Sequence, residues 1–133
     1  MPPDIKFGTD GWRGVIAQDF TFENVRRVGG AIASYVLKYE DPNKGLVVAY
    51  DTRFLSSRFA GAISEVLAAA GISIRLANDY TPTPALSYAV KHLGAAGGVM
   101  ITSSHNPWQW NGVKFKANFG GSATQGIIGR IEE

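Results

Sequence analysis

At 133 residues, 45% of them apolar and 18% charged, the chain has the make-up of one globular domain with enough apolar material for a core. A net charge of +2 carried by scattered Lys and Arg excludes the basic stripe of a nucleic-acid-binding surface, and no apolar run is long enough to cross a bilayer. Without cysteine there is no disulfide or thiolate zinc site, and Met1-Pro2-Pro3-Asp4-Ile5-Lys6 lacks the apolar core of a signal peptide, so the expected setting is the cytoplasm.

Taken in chain order, Ile5 to Ile16 is glycine-rich and is expected to form a strand-loop-strand element. Thr21 is a plausible N-cap, with Glu23 in the first turn, for a helix whose Phe22, Val25, Val28, Ile32, Val36 and Tyr39 repeat at helical spacing. Gly29-Gly30 inside it costs stability and points to close packing against a neighbour. Asp41-Pro42-Asn43-Lys44-Gly45 is a turn. Leu46 to Tyr50 is an apolar run suited to a parallel strand covered on both faces. Ser56 or Ser57 can cap a second helix through Phe59, Ile63, Val66 and Leu67, with Gly71 as its C′ stop. Ile72 to Ala77 is a second strand. Thr83-Pro84 reads as a cap followed by proline at the first helical position, opening a short helix toward Lys91. Gly97 to Ile101 is a third strand, Gly112 to Lys116 another short one, and Thr124 to Glu133 a terminal helix. This alternation predicts a layered α/β/α domain with a mixed, mostly parallel sheet, and 1–133 as one domain.

The chemistry gathers after the third strand. Ser104 and His105, with Lys114 ten residues on, put a hydroxyl, an imidazole and an amine just past a strand's carboxyl end, where open α/β sheets bind ligands. Such a set can accept, hold and pass on an acyl or phosphoryl group. The same residues also suit a polar surface loop. A hydrolase with Ser104 as acyl nucleophile would lack both a Gly-x-Ser-x-Gly elbow and a clear acidic triad partner. Asn111-Gly112 favours a tight turn that can fold Lys114 back toward Ser104 as a general base, then acid. Lys116 points to the same face of an extended strand and is the alternative. His105 can bond a phosphoryl or sugar oxygen or brace the loop. Arg13 lies in a glycine-flanked segment, and its guanidinium suits bidentate phosphate contact. Asp51 and Arg53 follow the Leu46 strand and can pair with each other or brace the serine loop, structural support being the favoured reading. Trp108 and Trp110 can stack on a sugar or simply pack the loop. His92 reads as an ordinary helix histidine.

Thr102-Ser103-Ser104-His105-Asn106-Pro107, with Asn111-Gly112-Val113-Lys114, resembles the phosphoserine loop of the α-D-phosphohexomutases, the family of phosphoglucomutases and phosphomannomutases. Gly8-Thr9-Asp10-Gly11-Trp12-Arg13-Gly14, Tyr50-Asp51-Thr52-Arg53 and Thr81-Pro82-Thr83-Pro84-Ala85 agree in the same order, so the likeness covers nearly the whole chain. It implies the first, phosphoserine-bearing domain of a four-domain enzyme that moves a phosphoryl group between the 1- and 6-positions of a hexose phosphate. By this resemblance Ser104 is the phosphoserine, Lys114 the general acid/base, His105 an active-site residue and Arg13 a cation facing the phosphoserine. Glucose 1-phosphate and glucose 6-phosphate are the expected substrates. A phosphomannomutase or phosphoglucosamine mutase domain is the alternative, and a non-catalytic phosphate- or sugar-binding module the more distant one.

The resemblance also implies Mg²⁺, held by the phosphoryl group of Ser104 and by the aspartates of an Asp-Gly-Asp-Gly-Asp-Arg run, and glucose 1,6-bisphosphate as activator. That run does not occur here, and the aspartates are isolated in sequence. One phosphoryl group holds Mg²⁺ poorly by itself. The expected partners are therefore a hexose phosphate and the remaining domains of the same parent protein, and the chain alone is expected to be inactive.

Overall fold

A five-residue apolar run can bury both faces only inside a layered sheet, and two such runs set the centre of this domain. The structure, a computed structural model, describes residues 5–7 and 11–132. Its elements are β1 (Gly11–Val15), α1 (Phe22–Tyr39), β2 (Leu46–Tyr50), α2 (Ser56–Ala69), β3 (Ile74–Leu76), α3 (Thr83–His92), β4 (Gly97–Ile101), β5 (Trp110–Ala117) and α4 (Gln125–Glu132). The sheet order is β1-β5-β4-β2-β3. β2 and β4, buried at every position, lie side by side and parallel.

Strand alternation sorts the core into two layers. Leu46, Val48, Val99, Ile101, Val113 and Phe115 face one way and pack with α1, α2 and α4. Val47, Ala49 and Met100 face the other way onto Leu86 and Val90 of α3. The expected α/β/α layering and mixed sheet are present. Among the described strands β1, β4, β2 and β3 run the same way and β5 alone runs against them, so the sheet is mixed and mostly parallel, as expected. The reason for the reversal is the β4–β5 connection, too short for a crossover helix, which turns the chain straight back.

Local expectations fare unevenly. The Thr21 cap accepts a hydrogen bond from Asn24 N at 3.1 Å. Gly71 stops α2 at φ +91°. The α1 glycine pair divides: a Cβ on Gly29 would meet Ile63 at 2.9 Å, whereas Gly30 faces open space, so only Gly29 lets α1 and α2 close together. The serine cap of α2 does not form. Leu55 occupies that position at φ 62° without a side-chain bond, because Ser56 is turned toward Asp51. At α3 the cap is Pro82 rather than Thr83, which shifts Pro84 one position inward. β3 is shorter and β5 longer than expected. Of the N-terminal strand-loop-strand element, β1 forms and Ile5 and Phe7 join the core without forming a strand. The Gly8-Thr9-Asp10 part of that motif lies outside the described residues. No described helix is long and apolar enough to cross a membrane.

Candidate active site

Asn111-Gly112 does not make the expected turn. Both residues lie inside β5, which runs antiparallel to β4 on one side and to β1 on the other. The pairing sets Lys114 opposite Met100 of β4 and Gly112 opposite Arg13 of β1. A side chain at 112 would strike the carbonyl oxygens of Thr102 and Trp12, each at 2.7 Å, so glycine serves close backbone approach here rather than a bend. Lys114 thus comes back toward the end of β4 through strand pairing.

Ser104 lies beyond β4 in the left-handed region at φ 50°, exposed to solvent. For a residue with a Cβ that conformation costs about 1–2 kcal/mol, and the surroundings hold it there. Lys114 Nζ donates to Ser104 Oγ at 2.7 Å. Lys116, the alternative lysine, is buried and donates to Ser122 Oγ at 3.3 Å. The structure therefore brings Lys114, not Lys116, to the serine.

The loop is held from behind by Asp51 and Arg53, which realise both roles open to them. Arg53 Nε pairs with Asp51 Oδ2 at 3.5 Å. The Arg53 Nη1 group donates to the carbonyl oxygens of Pro107 (2.8 Å) and Trp110 (3.1 Å), and Nη2 to those of Ser104 (2.9 Å) and Asn106 (2.6 Å). Asp51 Oδ2 accepts from Thr102 Oγ1 at 2.6 Å, and Thr102 Oγ1 in turn accepts from Ser104 N at 3.1 Å. Asp51 Oδ1 accepts from Ser56 Oγ at 2.9 Å, and Ser56 Oγ from Asn111 Nδ2 at 2.9 Å. One carboxylate thus ties together the loop, α2 and β5. The buried Ser56 and Asn111 were missed as site supports in the sequence, because their partners are far away along the chain. Thr81 N–H donates to Tyr50 O at the end of β2, at 2.9 Å.

Arg13 reaches the loop from β1. Its described hydrogen bond runs from Nη1 to Asn106 Oδ1 at 2.9 Å, an atom that also accepts from Ser103 Oγ at 2.7 Å. Asn106 therefore lies between the guanidinium and the serine segment, a role its place in the motif alone did not reveal. His105 is exposed beside Ser104, and neither its imidazole nor its backbone N–H has a partner among the described residues. Trp108 is 81% exposed and so does not pack the loop down. Tyr88 stacks on His92, the last residue of α3.

No group of three or more His, Asp or Glu among the described residues could hold a metal ion. Asp51, the acid closest to the loop by its bonds, already has both oxygens engaged. The described residues do not fit a Mg²⁺ site of their own.

The family model described as phosphoglucomutase/phosphomannomutase, alpha/beta/alpha domain I, matches residues 4–133. A phosphoglucomutase from Staphylococcus haemolyticus is 41% identical over 114 residues, covering 84% of this chain and 21% of that protein. A phosphoglucosamine mutase from Carboxydothermus hydrogenoformans is 37% identical over 127 residues, covering 96% and 28%. Among solved structures, a provisionally named phosphomannomutase from Thermus thermophilus superposes with a TM-score of 0.92 at 47% identity, over 99% of this chain and 30% of that one. The chain spans between a fifth and a third of the lengths of these relatives.

Proposed function

The chain belongs to the phosphoglucomutase/phosphomannomutase family as its domain I, and from that premise we propose that it carries the phosphoryl-bearing serine of a phosphohexomutase completed by further domains of the same parent. The observation that supports this most directly is the 2.7 Å contact from Lys114 Nζ to Ser104 Oγ at a strand's carboxyl end.

In the proposed step a hexose phosphate presents its free hydroxyl to phosphorylated Ser104. The hydroxyl oxygen bonds to phosphorus as the P–Oγ bond breaks, and that electron pair goes to Oγ. One proton must pass from the sugar hydroxyl to Oγ. Lys114, within reach of Oγ, gives up a proton there and recovers the one the sugar releases, acting as acid and base in one turnover. The bisphosphate then returns its other phosphoryl group to Ser104 by the reverse step. Arg13 and the His105 N–H and imidazole steady the transferring group, since charge stabilisation is most of the protein's task in such a transfer. Mg²⁺ would draw from this chain only an oxygen of phosphorylated Ser104. Glucose phosphates in the cytoplasm are the favoured substrates, with glucose 1,6-bisphosphate as activator. Mannose and glucosamine phosphates are the alternatives, because relatives of all three kinds match.

The test uses the full-length parent. Incubation with glucose 1,6-bisphosphate should add one phosphoryl group by intact mass, and Ser104→Ala should abolish the addition. Interconversion of hexose 1- and 6-phosphates, with kcat/KM compared for glucose, mannose and glucosamine, then fixes the substrate. A parent that turns over while Ser104 stays unmodified would defeat the proposal. The isolated 133-residue chain should not sustain turnover.

A further inference from the structure

We propose that Arg53 is a positioning residue for phosphoryl transfer: it shapes the loop that presents Ser104 without itself touching substrate. This rests on the reading of Ser104 as the phosphoryl carrier and extends it to a residue on a different strand-end.

A guanidinium has five N–H groups in a rigid plane. At Arg53 the two Nη groups donate to the carbonyl oxygens of Ser104, Asn106, Pro107 and Trp110, and Nε faces Asp51 Oδ2 in an ion pair at 3.5 Å. The fork is thus turned onto the loop's backbone and Asp51, and the side chain is only 13% exposed. Arg53 therefore acts through the loop and not by direct contact.

Its effect on the loop is specific. Carbonyl oxygens carry partial negative charge and would repel a phosphoserine dianion. Arg53 gathers four of them to one point behind the loop, and the oxygen of Ser104 itself is among them. Thr102, hung on the same Asp51 carboxylate, takes the Ser104 N–H. The two arms hold Ser104 by its own N–H and C=O in a left-handed conformation at φ 50°. They leave the His105 N–H without a partner among the described residues. Lysine cannot replace this fork, because a compact ammonium lacks the planar spread that spans four carbonyls.

The experiment compares full-length parent, Arg53→Lys and Arg53→Ala. It reads the rate of phosphoryl loading onto Ser104 from glucose 1,6-bisphosphate by rapid-quench intact mass, steady-state kcat and KM, and the folded fraction by circular dichroism. Displacing a reacting group by about an ångström costs on the order of 10²-fold. Both variants should lose loading rate and kcat by roughly tenfold or more per folded molecule, with KM little changed. Millimolar methylguanidinium should restore part of the loading in Arg53→Ala. Loading within about threefold of the parent, or a loss wholly accounted for by the unfolded fraction in Arg53→Lys as well, overturns the proposal. If the parent itself never loads Ser104, the phosphoryl-carrier reading fails first and the role of Arg53 falls with it.

Discussion

Lys114 Nζ stands 2.7 Å from Ser104 Oγ, and the two are joined by the antiparallel pairing of β4 with β5, not by a turn between them. This relationship separates the two lysines of β5. Lys116 lies on the same face, but its ammonium is committed to Ser122.

In the full-length parent, Ser104→Ala should lower turnover by several orders of magnitude with the fold intact. Lys114→Ala should lower kcat by about 10²–10⁴-fold and change KM less, as expected for a lost proton-transfer group. Lys116→Ala should affect stability rather than kcat. If Lys116→Ala shows the kcat loss and Lys114→Ala does not, the assignment is reversed.

Arg13 should couple to charge on Ser104. In the absence of phosphate its guanidinium bonds Asn106 Oδ1. A phosphoserine dianion offers a stronger acceptor, although water screens an exposed arginine. A double cycle of denaturant midpoints, phosphorylated against unphosphorylated and Arg13 against Arg13→Ala, should return a coupling of about 1 kcal/mol. Additivity within about 0.5 kcal/mol would leave Arg13 a loop-bracing residue only.

Gly112→Ala should be destabilising out of proportion to one methyl group. The new Cβ would stand 2.7 Å from two backbone oxygens belonging to different strands or their ends, neither of which can move without opening the sheet. The expected loss is about 1–3 kcal/mol in a urea titration, and more if β1 detaches. A variant as stable as the parent would mean that the β1–β5–β4 contact is looser than described.

Tyr35 should make the fold less stable at alkaline pH. Burial, followed by its hydrogen bond to Glu40 Oε1 at 3.0 Å and the charge of Glu40, pushes its phenol from 10.0 up to about 12. The folded state thus favours the protonated phenol more than the unfolded state does. The stabilisation is fully present below pH 10, and is lost as pH rises through about 12. Its size is on the order of 2 kcal/mol. Denaturant midpoints of the parent should fall across that window more steeply than those of Tyr35→Phe. Parallel curves would show that the phenol ionises as freely in the fold as outside it.

Much of this protein is written locally. The α/β alternation, the Thr21 cap, the Gly71 stop and the buried runs of β2 and β4 follow from residue periods and φ preferences that neighbouring residues decide among themselves. The serine loop could also be found, because its hydroxyl, imidazole and lysine fall within a short stretch of chain. What the sequence could not decide is which partner each polar group takes. Asn111-Gly112 has the local chemistry of a turn, yet β1 and β4 both pair with it, and two ladders of backbone hydrogen bonds outweigh a turn preference. Ser56 would suit a helix cap, but its hydroxyl oxygen accepts from Asn111 Nδ2 and its proton goes to Asp51 Oδ1. Arg53 meets four carbonyls lying 51 to 57 residues further on, and Arg13 meets an asparagine 93 residues away. Spacing along the chain carries no trace of such contacts. They arise only when the sheet sets the end of β2, the end of β4 and the middle of β5 side by side, and hydrogen bonding, being short-ranged and directional, is settled by that final proximity.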